Sequence, residues 1–174
     1  TIWYEGIPAC NGVSHHLTKM KIYFSTDHAG FELKNVLVEY VKSLGFQVQD
    51  VCPNTPDNND DYPDCVVPVA RLVMEDSLRN RGIILGGSGQ GEAVVANRFA
   101  GVRAAVYYGG STDIIRLSRQ HNDANILSLG ARFLTAAEAK RAVKLWLETK
   151  ASSDERHARR IKKIDTPDRP DHKF

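Results

Sequence analysis

The residues best able to do chemistry fall in short clusters. Asp27-His28-Ala29-Gly30 puts a carboxyl group and an imidazole at one turn, and Gly86-Gly87-Ser88-Gly89-Gln90-Gly91-Glu92 sets a glycine-rich loop directly ahead of a carboxylate. Where such a loop leads into a helix, its free backbone N–H groups and the positive end of the helix dipole can hold an anion or a developing oxyanion. The spacing is not that of a nucleotide loop: Glu92 stands where a Walker lysine would be needed, and the run reads G-x-G-x-G rather than G-x-G-x-x-G. A carboxylate there would repel a nucleotide's phosphates but suits a base that takes a proton from a neutral carbon, and partial burial would raise its pKa toward neutrality. Each residue also has a plainer reading. Glu92 could serve only the helix N-terminus, Asp27 could cap the following helix, and His121 of His121-Asn122-Asp123 could be a surface loop histidine.

Further along, Arg156-His157-Ala158-Arg159-Arg160 is either a solvated basic face or a phosphate fork. At helical spacing Arg156 and Arg160 share a side at i and i+4, and paired guanidinium groups match a phosphate well; Arg132 could join them.

Positioning these groups requires an alternating scaffold. Apolar runs predict strands at residues 21–26, 46–51, 82–85, 103–108 and 125–129. Between them, Leu33, Val36, Leu37, Tyr40, Val41 and Leu44 form a helical stripe that Gly45 stops. Further helices are expected at 63–80, with Pro68 in or near the first turn, at 92–99, at 111–120, and up to Lys150 behind a Thr135/Glu138 capping box. A basic helix at 152–164 closes the series. Strands alternating with helices imply an α/β fold: a doubly wound, five-stranded parallel sheet, Rossmann- or flavodoxin-like, with helices on both faces. Ligands bind at the carboxyl ends of such strands, and the acid, the imidazole, the base and the loop amides are all expected on that one edge. Residues 1–19 read as an extension, 20–164 as the domain, and 165–174 as a loosely attached tail.

Composition limits the function. The 174 residues are 42% hydrophobic and 25% charged, the profile of one domain. With 23 basic and 21 acidic residues, net charge +2, the chain lacks the strong positive field of a nucleic-acid binder. Cys10, Cys52 and Cys65 form no C-x-x-C pair, and no apolar run spans a bilayer, so a reducing, cytoplasmic setting with neither nucleic acid nor membrane as partner is expected.

Taken in order, Asp27-His28-Ala29-Gly30, Asp61-Tyr62-Pro63, the glycine loop with Glu92, Ala96-Asn97-Arg98-Phe99-Ala100-Gly101-Val102-Arg103-Ala104, Ser118-Arg119-Gln120-His121-Asn122-Asp123, Gly130-Ala131-Arg132 and Arg156-His157-x-x-Arg160 resemble the type B ribose-5-phosphate isomerases. Their superfamily includes allose- and galactose-6-phosphate isomerases. The resemblance implies a homodimer with active sites shared between subunits, a small phosphorylated sugar as substrate, and no cofactor or metal. It casts Asp27 and His121 in sugar-ring opening, Asn122 in holding the sugar, and Ser88 with the amides of Gly87, Gly89 and Gly91 in stabilising a cis-enediolate. It places His28, Arg132, Arg156, His157 and Arg160 at the phosphate and Tyr62 along the sugar. Many members carry a cysteine base just ahead of the glycine loop, where this chain has Gly86. Another branch uses a glutamate at the position of Glu92, which is therefore the expected base. Another sugar phosphate of four or six carbons, or a non-catalytic phosphometabolite-binding role, remains an alternative.

Overall fold

The computed structural model describes residues 20–52 and 59–166. The extension at 1–19, residues 53–58, and the tail beyond Thr166 lie outside the described residues. Strands Lys21–Thr26 (β1), Gln47–Asp50 (β2), Asn80–Gly86 (β3), Ala104–Tyr107 (β4) and Ile126–Gly130 (β5) form one parallel sheet in the order β2-β1-β3-β5-β4. The helices are Phe31–Ser43 (α1), Tyr62–Glu75 (α2), Gln90–Ala96 (α3), Asp113–Asn122 (α4), Ala136–Glu148 (α5) and Glu155–Ile164 (α6), with a 3-10 turn at His28–Gly30.

The central strands are apolar on both sides because both faces are covered. Ile22, Phe24, Ile83, Leu85, Leu127 and Leu129 point toward α1, α4 and α5, which bring Leu37, Val41, Ile115, Val143 and Trp146. Their alternates Tyr23, Ile84 and Ile126 point the other way, against Val66, Val69 and Val73 of α2 and Ala96 of α3. The chain leaves β1 for β2 on one face and returns through α2 on the other to β3. The order therefore reverses between β1 and β3, the place where open α/β sheets form a ligand crevice. β5 inserts between β3 and β4, so β4 is one edge strand and β2 the other.

Four details differ from expectation. α2 ends at Glu75 rather than near Asn80, because Asp76 accepts hydrogen bonds from the N–H groups of Arg79 (3.2 Å) and Asn80 (2.8 Å) and turns the chain into β3. Pro68 lies in the second turn of α2, not the first. His121 and Asn122 form the last turn of α4 instead of a loop. The tail is anchored at its start, since Asp165 pairs with Arg103 at 3.0 Å. The Thr135/Glu138 capping box forms as read: Glu138 N–H donates to Thr135 Oγ1 (3.3 Å) and Thr135 N–H to Glu138 Oε2 (2.9 Å). Lys34 is fully buried, a placement its sequence context did not signal. Its Nζ donates to Asp50 Oδ2 (2.5 Å) and to the Cys52 carbonyl (2.8 Å), tying α1 to the end of β2.

Candidate active site

At the β1/β3 reversal a cleft of about 340 Å³ is lined by Asp27, Tyr62, Gly87, Ser88, Glu92 and Arg132, with Ala29, Gly91 and Phe133 completing it. Each wall follows from the local sequence. Asp27 follows β1 and accepts a hydrogen bond from Ala29 N–H at 2.9 Å, so it does cap the next turn while facing the cleft. Tyr62 opens α2, where Pro63 fixes the first turn, and its ring lies against Gly91. The loop after β3 is stitched to the end of β5: Ala131 N–H donates to Gly86 O (2.8 Å), Arg132 N–H to Gly87 O (3.1 Å), and Ser128 Oγ to Gly89 O (2.6 Å). Gly89 adopts φ +76°, a conformation costly to residues with a Cβ, as it turns the loop into α3. The Arg132 guanidinium lies over Gly87.

Glu92 is only 4% exposed. Its carboxylate is folded back over Gly86 so closely that a Cβ added there would meet Oε1 at 1.8 Å and Cδ at 2.1 Å. Burial raises the Glu92 pKa, and the nearby Asp27 carboxylate adds to the rise against the lowering effect of its own backbone N–H. Burial also raises Asp27, opposed by the Ala29 hydrogen bond. Two carboxyl groups with raised pKa values thus share one cleft with a loop of backbone donors, the environment of a proton-transfer site.

His28, between two cleft residues, is within electrostatic reach of Arg132. Its Nδ1 contacts Asp60 Oδ1 at 2.7 Å, and that hydrogen bond raises the imidazole pKa, favouring the cation. Asp60 went unnoticed in the sequence. The only available signal was its place ahead of Asp61-Tyr62-Pro63, since a bond across 32 residues leaves no periodic trace.

The expectation that the acid, the imidazole, the base and the loop amides share one sheet edge holds for Asp27, His28, Glu92 and the glycine loop but not for His121. α4 carries the chain from the carboxyl end of β4 back to the amino edge. There Gly82 N–H donates to Asn125 O (2.9 Å) and Arg103 N–H to Asn125 Oδ1 (2.8 Å). β3 from Gly82 to Gly86 separates this contact from the start of the glycine loop, a span of about 13 Å. His121 and Asn122 therefore sit opposite Glu92 and Asp27. The His121 ring stacks on His157 of α6 with centroids 4.3 Å apart and planes at 10°. Both border a recess of about 450 Å³ with Arg156, which pairs with Asp154 at 3.1 Å. His157 is 4% exposed, and its Nδ1 has no hydrogen-bond partner among the described residues. Burial, then His121, lowers its pKa, favouring the neutral ring. Asn122 borders a recess of about 840 Å³ between residues 97–105 and the end of α6. Arg160 is exposed on α6. Among the described residues no three His, Cys, Asp or Glu side chains converge as metal ligands, and no helix is long and apolar enough to cross a membrane.

Comparison with known proteins bears on the fold and the family. The family model described as Ribose/Galactose Isomerase matches residues 22–164. Ribose-5-phosphate isomerase B of Mycobacterium leprae (strain TN) is 38% identical over 146 residues, covering 83% of this chain and 88% of that one. The crystal structure of ribose-5-phosphate isomerase B from Mycoplasma genitalium with bound ribulose-5-phosphate superposes with a TM-score of 0.79 at 39% identity, covering 83% of this chain and 93% of that one. Type B ribose 5-phosphate isomerase from Trypanosoma brucei gives a TM-score of 0.79 at 33% identity, covering 86% of this chain and 99% of that one. With a parallel sheet reversing at a carboxylate-lined glycine loop and a match across nearly the whole described domain, the chain belongs to the ribose/galactose isomerase family.

Proposed function

We propose that the chain interconverts D-ribose 5-phosphate and D-ribulose 5-phosphate, an aldose–ketose isomerisation through a cis-enediolate. The observation that carries this reading is the buried Glu92 carboxylate folded onto Gly86 beside the loop amides. Glu92 takes the proton from C2 and returns it at C1, while Ser88 and the N–H groups of the glycine loop stabilise the oxygen that turns negative between the two steps. Asp27 assists ring opening, Tyr62 lines the sugar, and His28 with Arg132 holds the phosphate. The direct test is formation of ribulose 5-phosphate from ribose 5-phosphate, run beside allose 6-phosphate and erythrose 4-phosphate. Absence of turnover on every one of them would end the reading.

His121, Asn122, Arg156, His157 and Arg160 complete the site from a second subunit in this reading, because none of them lines the cleft of their own protomer. Glu92→Gln and His121→Ala chains should each be inactive alone. Co-refolded at equal amounts, they should recover about a quarter of wild-type activity, because half the dimers are mixed and each mixed dimer holds one intact site of two. No recovery from a mixture shown by native mass spectrometry to contain the mixed dimer would mean that sites are not shared.

The pH dependence follows from the same groups. kcat/KM should rise with pH as Glu92 and Asp27 lose protons, with the acid limb above the ordinary carboxylate range because burial raises both. It should fall again as the His28 cation, held by Asp60, loses its proton. Asp60→Asn should move this alkaline limb to lower pH, seen as a KM that climbs earlier. An unmoved limb would separate His28 from phosphate binding.

A further inference from the structure

Outside the cleft, the chain places two thiols side by side. Cys52 follows β2 and Cys65 lies in the first turn of α2, and their Sγ atoms are 3.4 Å apart. Both are free and partly exposed. Each backbone is held by a separate part of the fold: the Cys52 carbonyl accepts from buried Lys34 Nζ at 2.8 Å, and the Cys65 carbonyl accepts from Ser25 Oγ on β1 at 2.5 Å. The pair is therefore presented by two fixed backbones and needs a sulfur approach of only about 1.4 Å to reach bonding distance. No role in proton transfer explains it, because neither cysteine lines the cleft.

We infer that Cys52 and Cys65 form a redox modification site, a dithiol that a peroxide closes to an intramolecular disulfide and that a dithiol reductant reopens. One cysteine sulfur attacks the peroxide O–O bond, releasing water and leaving a sulfenic acid. The second sulfur then displaces the hydroxyl group, which departs as water with the remaining thiol proton. Two thiols and one hydrogen peroxide give one disulfide and two waters, with two electrons passing from sulfur to oxygen. Burial and the neighbouring Cys52 thiol push the Cys65 thiol up to about 12.

The position of the pair gives the modification a consequence. The closed ring would run from residue 52 to residue 65 and contain Asp60, the partner of His28, and Tyr62, the cleft wall against Gly91. The closed ring would tie the first turn of α2 to the end of β2, and a shift of Tyr62 by even a fraction of an ångström is enough to disturb a positioned sugar. This coupling to turnover rests on the proposed isomerase function; the disulfide chemistry does not.

The experiment uses the 174-residue chain carrying Cys10→Ser, in which these are the two remaining thiols. After brief hydrogen peroxide treatment, its intact mass should fall by about 2 Da, both cysteines should resist N-ethylmaleimide, and digestion should yield a peptide linking positions 52 and 65. Dithiothreitol should reverse all three, and a further Cys65→Ser change should abolish the mass loss. The oxidised protein should melt several degrees higher. It should also show kcat/KM about three- to tenfold lower than the reduced protein. Oxygen addition at one cysteine while the other still alkylates, disulfide-linked pairs of chains, or two unreacted thiols would overturn the inference. A disulfide that forms with kcat and KM unchanged would overturn its coupling to the cleft, and mass and alkylation remain readable even if the protein isomerises no sugar.

Discussion

Glu92→Gln is expected to lower kcat on ribose 5-phosphate by about 10²–10⁴-fold, the usual contribution of a positioned general base, with little change in KM. The amide keeps the shape of the side chain and leaves the loop donors and phosphate contacts in place, so the loss falls on the step in which the proton moves. The same substitution should stabilise the fold. Because burial raises the Glu92 pKa, the folded state binds its proton more tightly than the unfolded chain does. Ionised Glu92 therefore costs stability above its folded-state pKa, and this cost vanishes below the unfolded value, where both states hold the proton. Glu92→Gln should melt higher than wild type at neutral and mildly alkaline pH, with the gap closing as pH falls through the carboxylate range. Wild-type kcat in the variant would remove Glu92 from the reaction, and a lower melting temperature at neutral pH would contradict its burial as a charge.

Gly86→Ala should be nearly as damaging without touching any group that exchanges protons. A methyl at this position would lie 1.8 Å from Glu92 Oε1 and 2.1 Å from Cδ, so the carboxylate must leave the place it now occupies. The backbone cannot yield instead. Gly86 ends a strand buried along its whole length and is paired with Gly130 of β5, while its carbonyl accepts from Ala131 N–H at 2.8 Å. Rotating a flexible side chain is the easier response, so the protein should fold while kcat drops by about 10²-fold or more. Circular dichroism and melting near wild type, combined with that loss, would identify misplacement rather than unfolding. Full activity would show that the base works equally well from another position.

The architecture was largely legible in the sequence because it rests on strong local signals. Apolar runs bounded by glycine, proline and asparagine marked all five strands, and the Thr135/Glu138 pair marked a helix start that the structure reproduces. The glycine loop and Glu92 were legible as a pair because they adjoin. What failed was the inference of edge from sequence neighbourhood. His121 stands a few residues ahead of β5, and a crossover helix returns the chain to the amino edge before it, so residues ahead of a strand lie opposite residues behind one. Long-range placements left no trace either. The burial of Lys34 depends on Asp50 and Cys52, and the hold on His28 depends on Asp60. Neither hydrophobic period nor capping chemistry encodes such partners.

The closeness of Gly86 and Glu92 also bears on how a lineage could exchange one base for another. A cysteine at 86, as the resemblance expects in many relatives, would need the very volume that the Glu92 carboxylate now fills. A side chain at 86 and the Glu92 carboxylate in its present place therefore exclude each other, so in the proposed mechanism this volume holds one base or the other, never both.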